Sequence, residues 1–115
     1  MSASLPVLDG FCCTPLARDP LGASEASILA ASFKALGDPV RLRLLSLVLA
    51  HDGGEACVCD LTVAFDLSQP TISHHLKVLL DARLLTREKR GVWAFYRVRQ
   101  EALSMLAGVL DPVAA

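Results

Sequence analysis

Two pairs of cysteines, Cys12-Cys13 and Cys57-Val58-Cys59, are the side chains of this 115-residue sequence best suited to chemistry. Four cysteines are too few for a disulfide scaffold, and closely spaced thiols point to metal or redox chemistry instead. None of the four falls within a periodic core stripe. Cys57 and Cys59 stand just before a helix predicted over 60–65, and a helix N-terminus favours the thiolate, so both are placed to ionise. Residues two apart share a face in extended chain but diverge by about 200° in a helix. Both sulfurs therefore reach one ion only where the chain is entering the helix. Adjacent Cys12 and Cys13 need a local turn to converge, which Thr14-Pro15 could impose. Ligation by thiolates alone selects soft ions. The spacing does not match the Cys-x₂₋₄-Cys of zinc sites. A redox-active dithiol and unrelated structural thiols stay open as alternatives.

A second group of polar residues lies on a predicted helix of its own. Ser68 caps a helix running to about residue 82, whose apolar residues Ile72, Leu76 and Leu79 recur at i, i+4, i+7. Opposite that stripe lie Pro70, His74, Lys77 and Asp81, with Thr71 and Ser73 on the flanks. His75 falls about 60° from the stripe at 100° per residue, which suits a packing role. Gln69, in the first turn, reaches past the helix terminus. Gln, Ser, Thr and His can hydrogen-bond base edges, and Lys77 with Arg87, Lys89 and Arg90 further along can hold phosphates.

The elements that would position these groups follow from periodicity and turn residues. Residues 1–22, with Pro6, Pro15, Pro20, Gly10 and Gly22, read as a flexible N-terminal arm carrying Cys12-Cys13. Residues 23–111 read as one domain. Its first helix has Ser24 as N-cap and Leu29, Phe33 and Leu36 on one face, ending at Gly37. Asp38-Pro39 open a second helix to about residue 51 that carries Leu42, Leu45, Val48 and Leu49 inward. The short third helix and the Ser68-capped fourth are joined by a turn at Asp66-Leu67. Strand-like runs over 84–89 and 92–98 make a hairpin with Arg90-Gly91 at the connection. A last helix from about Gln100 presents Leu103, Leu106 and Leu110 on one side. The expected fold is mainly α with a β-hairpin, in the order α-α-α-α-β-β-α. Two helices joined by a tight turn and followed by a basic hairpin make a winged helix-turn-helix, in which the second helix enters the major groove.

The net charge of −1 seems to argue against a nucleic-acid partner, but the charges are segregated. Residues 1–67 sum to −4, residues 68–99 to +5 and residues 100–115 to −2. The basic segment holds both the fourth helix and the hairpin, as a phosphate-contacting surface would. A solvated charge run serving solubility is the bland alternative.

Three stretches resemble the ArsR/SmtB family of metal- and metalloid-responsive repressors. They are Phe33-Lys-Ala-Leu-Gly-Asp-Pro-Val-Arg-Leu-Arg-Leu44, Cys57-Val-Cys-Asp-Leu61 and Leu67-Ser-Gln-Pro-Thr-Ile-Ser-His-His-Leu-Lys-Val-Leu79, and the resemblance covers about residues 24–110. It implies a homodimer, joined by its first and last helices, that represses from an inverted-repeat operator in double-stranded DNA until an inducer binds. It implies base contacts from Gln69, Thr71, Ser73 and His74, and inducer ligation by Cys57 and Cys59. Asp66 stands where family turns often carry Gly, and the last helix lacks the His of the family's zinc sensors, so a zinc site there is not expected. As(III) or Sb(III) is the favoured inducer, held by three thiolates drawn from Cys12, Cys13, Cys57 and Cys59, with the adjacent arm pair joining the other pair across the dimer. A four-thiolate Cd(II) or Pb(II) site and a thiol redox sensor are the alternatives.

Composition excludes other classes. With 53% apolar residues and a mean hydropathy of +0.47, the chain is not disordered. Its longest apolar run, over 42–50, is interrupted by Arg43 and Ser46 and falls short of the ~18–20 residues of a bilayer span. Its first ten residues, lacking Lys and Arg, do not read as a secretory signal, so a cytoplasmic location without membrane contact is expected. No acid–base cluster surrounds the cysteines and nothing calls for an organic cofactor, so an enzyme is not expected.

Overall fold

The computed structural model describes residues 20–112. The order is α1 (Ala23–Leu36), α2 (Pro39–Ala50), a 3₁₀ turn (Asp52–Gly54), β1 (Glu55–Cys57), α3 (Val58–Val63), α4 (Gln69–Asp81), β2 (Leu85–Arg90), β3 (Trp93–Val98) and α5 (Gln100–Leu110). The winged helix-turn-helix expected from the sequence is present, with one strand more. β1 pairs antiparallel with β3, giving a three-stranded sheet in the order β1-β3-β2. Three residues are too few to display alternation, and their hydrogen-bond partners lie about 40 positions away on β3, so no local pattern marks β1.

Several boundaries differ for identifiable reasons. α1 is capped at Gly22 rather than Ser24, because the Glu25 carboxylate reaches back to accept the Gly22 N–H at 2.9 Å. Asp38 caps α2 as expected, accepting the N–H groups of Val40 at 2.8 Å and Arg41 at 3.2 Å. α3 begins at Val58, two residues early, which puts Cys57 at the N-cap and Cys59 inside the first turn. The hairpin turns at Gly91-Val92, with Gly91 at φ +65°, so Arg90 belongs to β2 and not to the connection. α4 ends in paired bonds, Leu84 N–H to Leu79 O at 3.0 Å and Arg83 N–H to Leu80 O at 2.9 Å, with Arg83 left-handed at φ 62°. This compact termination sets β2 beside α4.

The core gathers Leu29, Leu44, Leu45, Val48, Leu61, Ile72, Leu76, Leu79, Leu84, Val98, Leu106 and Val109. Leu42 and Leu49, expected inside, are instead 53% and 41% exposed. α2 carries leucines at 42, 44, 45, 47 and 49, nearly all round the helix, so periodicity alone cannot select its buried stripe. α5 likewise buries Ala102, Leu106 and Val109, while Leu110 is exposed. An apolar groove of about 560 Å³ remains open along Leu36, Leu42, Leu45, Leu49, Ala50 and Leu103.

Candidate thiol site and nucleic-acid interface

The Cys57–Cys59 pair sits where strand becomes helix. β1 holds Cys57 opposite Phe95 of β3, and Cys57 ends that strand at the N-cap of α3. The Cys57 N–H donates to Oδ2 of Asp60 at 3.3 Å, closing the first turn. In this geometry the two sulfurs converge and are joined in a disulfide, with Cα atoms 5.4 Å apart. The pair was expected as thiolates, and the structure carries it oxidised. Reduced, the same backbone presents two thiols to one point, and the Asp60 carboxylate completes a group whose ligand atoms lie within 4.8 Å of one another. Cys59 is exposed while Cys57 is buried, so a ligand arrives from the Cys59 side. His51 Nε2 approaches Asp60 Oδ2 at 3.5 Å and borders the cluster. Cys12 and Cys13 lie outside the described residues, as does most of the arm.

α3 leads through a short turn into α4. The Ser68 hydroxyl accepts the Thr71 N–H at 3.4 Å and shares a 3.0 Å hydrogen bond with the Thr71 hydroxyl. Gln69, Thr71, Ser73, His74 and Lys77 are all exposed, whereas Ile72, Leu76 and Leu79 are fully buried. His75 is half-buried, and its Nδ1 meets Nη1 of Arg41 at 3.1 Å. Arg41 also donates to the Ala35 carbonyl at 2.6 Å, so one guanidinium fastens α4 to the corner between α1 and α2. Lys77 pairs with Asp81 at 3.2 Å, an exposed pairing that a phosphate can displace at little cost.

The register of the hairpin divides its basic side chains. Directly paired residues share a face, so Arg87 and Lys89 lie with Tyr96 and Ala94, on the side toward α4. Arg87 and Tyr96 line a groove of about 680 Å³ with Ser73, Lys77, Leu80 and Asp81. Neither Arg87 nor Lys89 has an ion pair among the described residues. Arg90 lies on the other face, where it is held by Glu55 and by Glu88 at 2.8 Å, over the Phe95 ring. Hydrogen bonds from Arg90, with help from Arg97, keep the Glu55 carboxyl below the usual carboxylate range. Of the four basic residues expected at phosphates, three therefore border or flank the groove, and Arg90 is engaged elsewhere. Glu55, Tyr96 and Arg97 were missed, because only strand register brings them to these positions.

Residues 38–87 match the family described as bacterial regulatory proteins of the arsR family. The chain is 43% identical over 74 residues to an arsenical resistance operon repressor of Bacillus subtilis (strain 168), covering 64% of this chain and 69% of that protein. It is 42% identical over 83 residues to an arsenical resistance operon repressor of Staphylococcus xylosus, covering 72% and 77%. The crystal structure of the antimony-specific transcriptional repressor AntR is similar with a TM-score of 0.65 and 33% identity, covering 78% of this chain and 80% of that one.

Proposed function

The chain belongs to the arsR family of bacterial regulatory proteins, and from that premise we propose that it is a metalloid-responsive transcriptional repressor released from DNA by As(III) or Sb(III). The observation that carries this reading is the convergence of Cys57 and Cys59 at the opening of the helix pair whose second member displays Gln69 to Lys77. The similarity to arsenical and antimony repressors supports the metalloid over other soft ions.

DNA binding uses α4 in the major groove. Gln69, Thr71, Ser73 and His74 meet base edges, while Lys77, Arg87 and Lys89 hold phosphates. Arg90 joins them only by leaving Glu55. Replacing Arg87 and Lys89 together by alanine weakens binding to matched and unrelated duplexes alike, and flattens the slope of log K against log salt by about two. Anisotropy across a salt series checks this; an unchanged slope removes the wing from the phosphate contacts.

Induction begins with the reduced pair. Each As–S bond forms as a thiol proton and an arsenic-bound hydroxyl leave together as water. Cys57 and Cys59 supply two bonds, and Cys12 or Cys13 of the arm supplies the third. Bond formation at the N-cap of α3 reorganises the entry to the helix pair, and the recognition helices of the dimer lose their fit to successive grooves. DNA must then weaken metalloid binding by the same factor.

The test is release of a duplex that the protein itself has selected from a random pool, titrated under reductant with As(III), Sb(III), Cd(II) and Pb(II). As(III) and Sb(III) are expected to release it at the lowest concentrations. Stoichiometric arsenite binding with duplex affinity unchanged overturns the reading. The disulfide favours a second reading, a redox-sensing repressor. That reading predicts release by peroxide without reductant, reversed on adding a dithiol.

A further inference from the structure

Glu55 stands two residues before Cys57 on β1, and strand alternation places both on one face of the sheet. On that face the Glu55 carboxylate accepts two hydrogen bonds from Arg90 at the end of β2 and one from Arg97 of β3 at 2.9 Å. Arg97 also donates to the Gly53 carbonyl at 3.2 Å, in the turn that feeds β1. The Arg90 guanidinium lies 4.6 Å from the centroid of Phe95, the residue paired with Cys57 in the ladder. The Glu55 side chain is 21% exposed, against 43% and 56% for Arg90 and Arg97, so two cations cover one carboxylate. A single acidic group thus ties both strands of the wing to the three-residue strand that ends at the thiol pair. The same hairpin carries Arg87 and Lys89 on its opposite face.

We propose that Glu55 is the positioning residue that transmits occupancy of the Cys57–Cys59 pair to the wing, an inference that rests on the metalloid-responsive reading above. Bond formation at Cys57 shifts β1. Through Glu55 the hairpin moves with it, and Arg87 and Lys89 leave their phosphate positions. Bidentate pairing makes Glu55 a stiff link, since two parallel bonds fix orientation as well as distance. Without the carboxylate, Arg90 and Arg97 repel each other across the strand pair, and the wing loses its tie to β1 beyond the backbone ladder.

The experiment compares the reduced full-length wild type with Glu55→Gln, using arsenite and the selected duplex. Trp93, the single tryptophan, pairs with Arg90 across the hairpin and reports wing movement by its fluorescence. In the wild type, arsenite is expected to change Trp93 emission and to weaken duplex binding by about tenfold or more. Glu55→Gln is expected to bind arsenite with wild-type stoichiometry and to bind the duplex, but to lose the Trp93 response and most of the release. A purely structural role for Glu55 would lower stability without separating arsenite binding from release. Arg90→Gln is expected to behave as Glu55→Gln does, and stands in for it if that variant does not fold. Wild-type release and Trp93 response persisting in the folded variants overturn the link while leaving the repressor reading intact. Arsenite bound by the wild type with no loss of duplex affinity overturns that reading, and the link with it.

Discussion

With both Cys57 and Cys59 replaced by serine, the protein is expected to hold its selected duplex at every arsenite concentration. A hydroxyl of nearly the same size cannot replace a soft thiolate as a ligand for As(III). The two positions lie at the entrance of α3 and outside the helix face that meets DNA, so duplex affinity in the absence of arsenite stays near that of the wild type. The wild-type ratio of affinities without and with arsenite, on the order of 5–150-fold for a typical coupling of 1–3 kcal/mol, falls to one. Anisotropy titration of the reduced protein measures it directly. The single variants differ in degree. Cys59→Ser removes the exposed entry ligand and Cys57→Ser the buried one, and either leaves the arm pair with only one partner thiol. The double variant also loses any release by peroxide. A double variant that still releases its duplex with arsenite moves the inducer site elsewhere, with Cys12 and Cys13 the first candidates.

A charge placed on the open apolar groove is expected to be as damaging by another route. Leu42→Glu with Leu49→Glu puts two carboxylates where α2 exposes its leucines, beside Leu36 of α1 and Leu103 of α5. Both positions are already in contact with water, so the protomer keeps its core and its fold. A second copy that covers this groove must desolvate both charges without a partner, a far larger penalty than losing the apolar contact. The expected outcome is a monomer at micromolar concentration. Duplex affinity then falls by about two orders of magnitude or more, because linking two half-site contacts commonly adds 10²–10⁴ in avidity. Sedimentation velocity and anisotropy test the two parts separately. A double variant that remains dimeric takes this groove out of the interface.

Much of the DNA-facing helix was legible because its determinants are local. Ser68, Pro70 and the Ile72/Leu76/Leu79 stripe specify where α4 begins and which side is buried, and once that side is known the exposure of Gln69, Thr71, Ser73, His74 and Lys77 follows from 3.6 residues per turn. His75 was readable as a packing residue by its angle, though nothing local indicates that its partner is Arg41, 34 residues earlier. α2 was less legible. Its many leucines satisfy several stripes at once, and only contact with α4 and the sheet selected Leu44, Leu45 and Val48 over Leu42 and Leu49.

The cysteine pair and the basic segment opened the case for this protein, and the sequence by itself determined both. Two thiols separated by one residue converge wherever strand gives way to helix, and seven basic side chains within residues 68–99 place a positive field on helix and wing together. Tertiary structure alone decided how those groups are divided. β1 exists only because β3 is there to pair with it, and that ladder brings Glu55 under Arg90 and Arg97. The register between β2 and β3 sends Arg87 and Lys89 toward α4 and Arg90 away from it. In a strand, a shift of one residue exchanges the two faces, and register is set by pairing with distant chain. A helix carries its facing within its own sequence, and a sheet acquires it only on assembly.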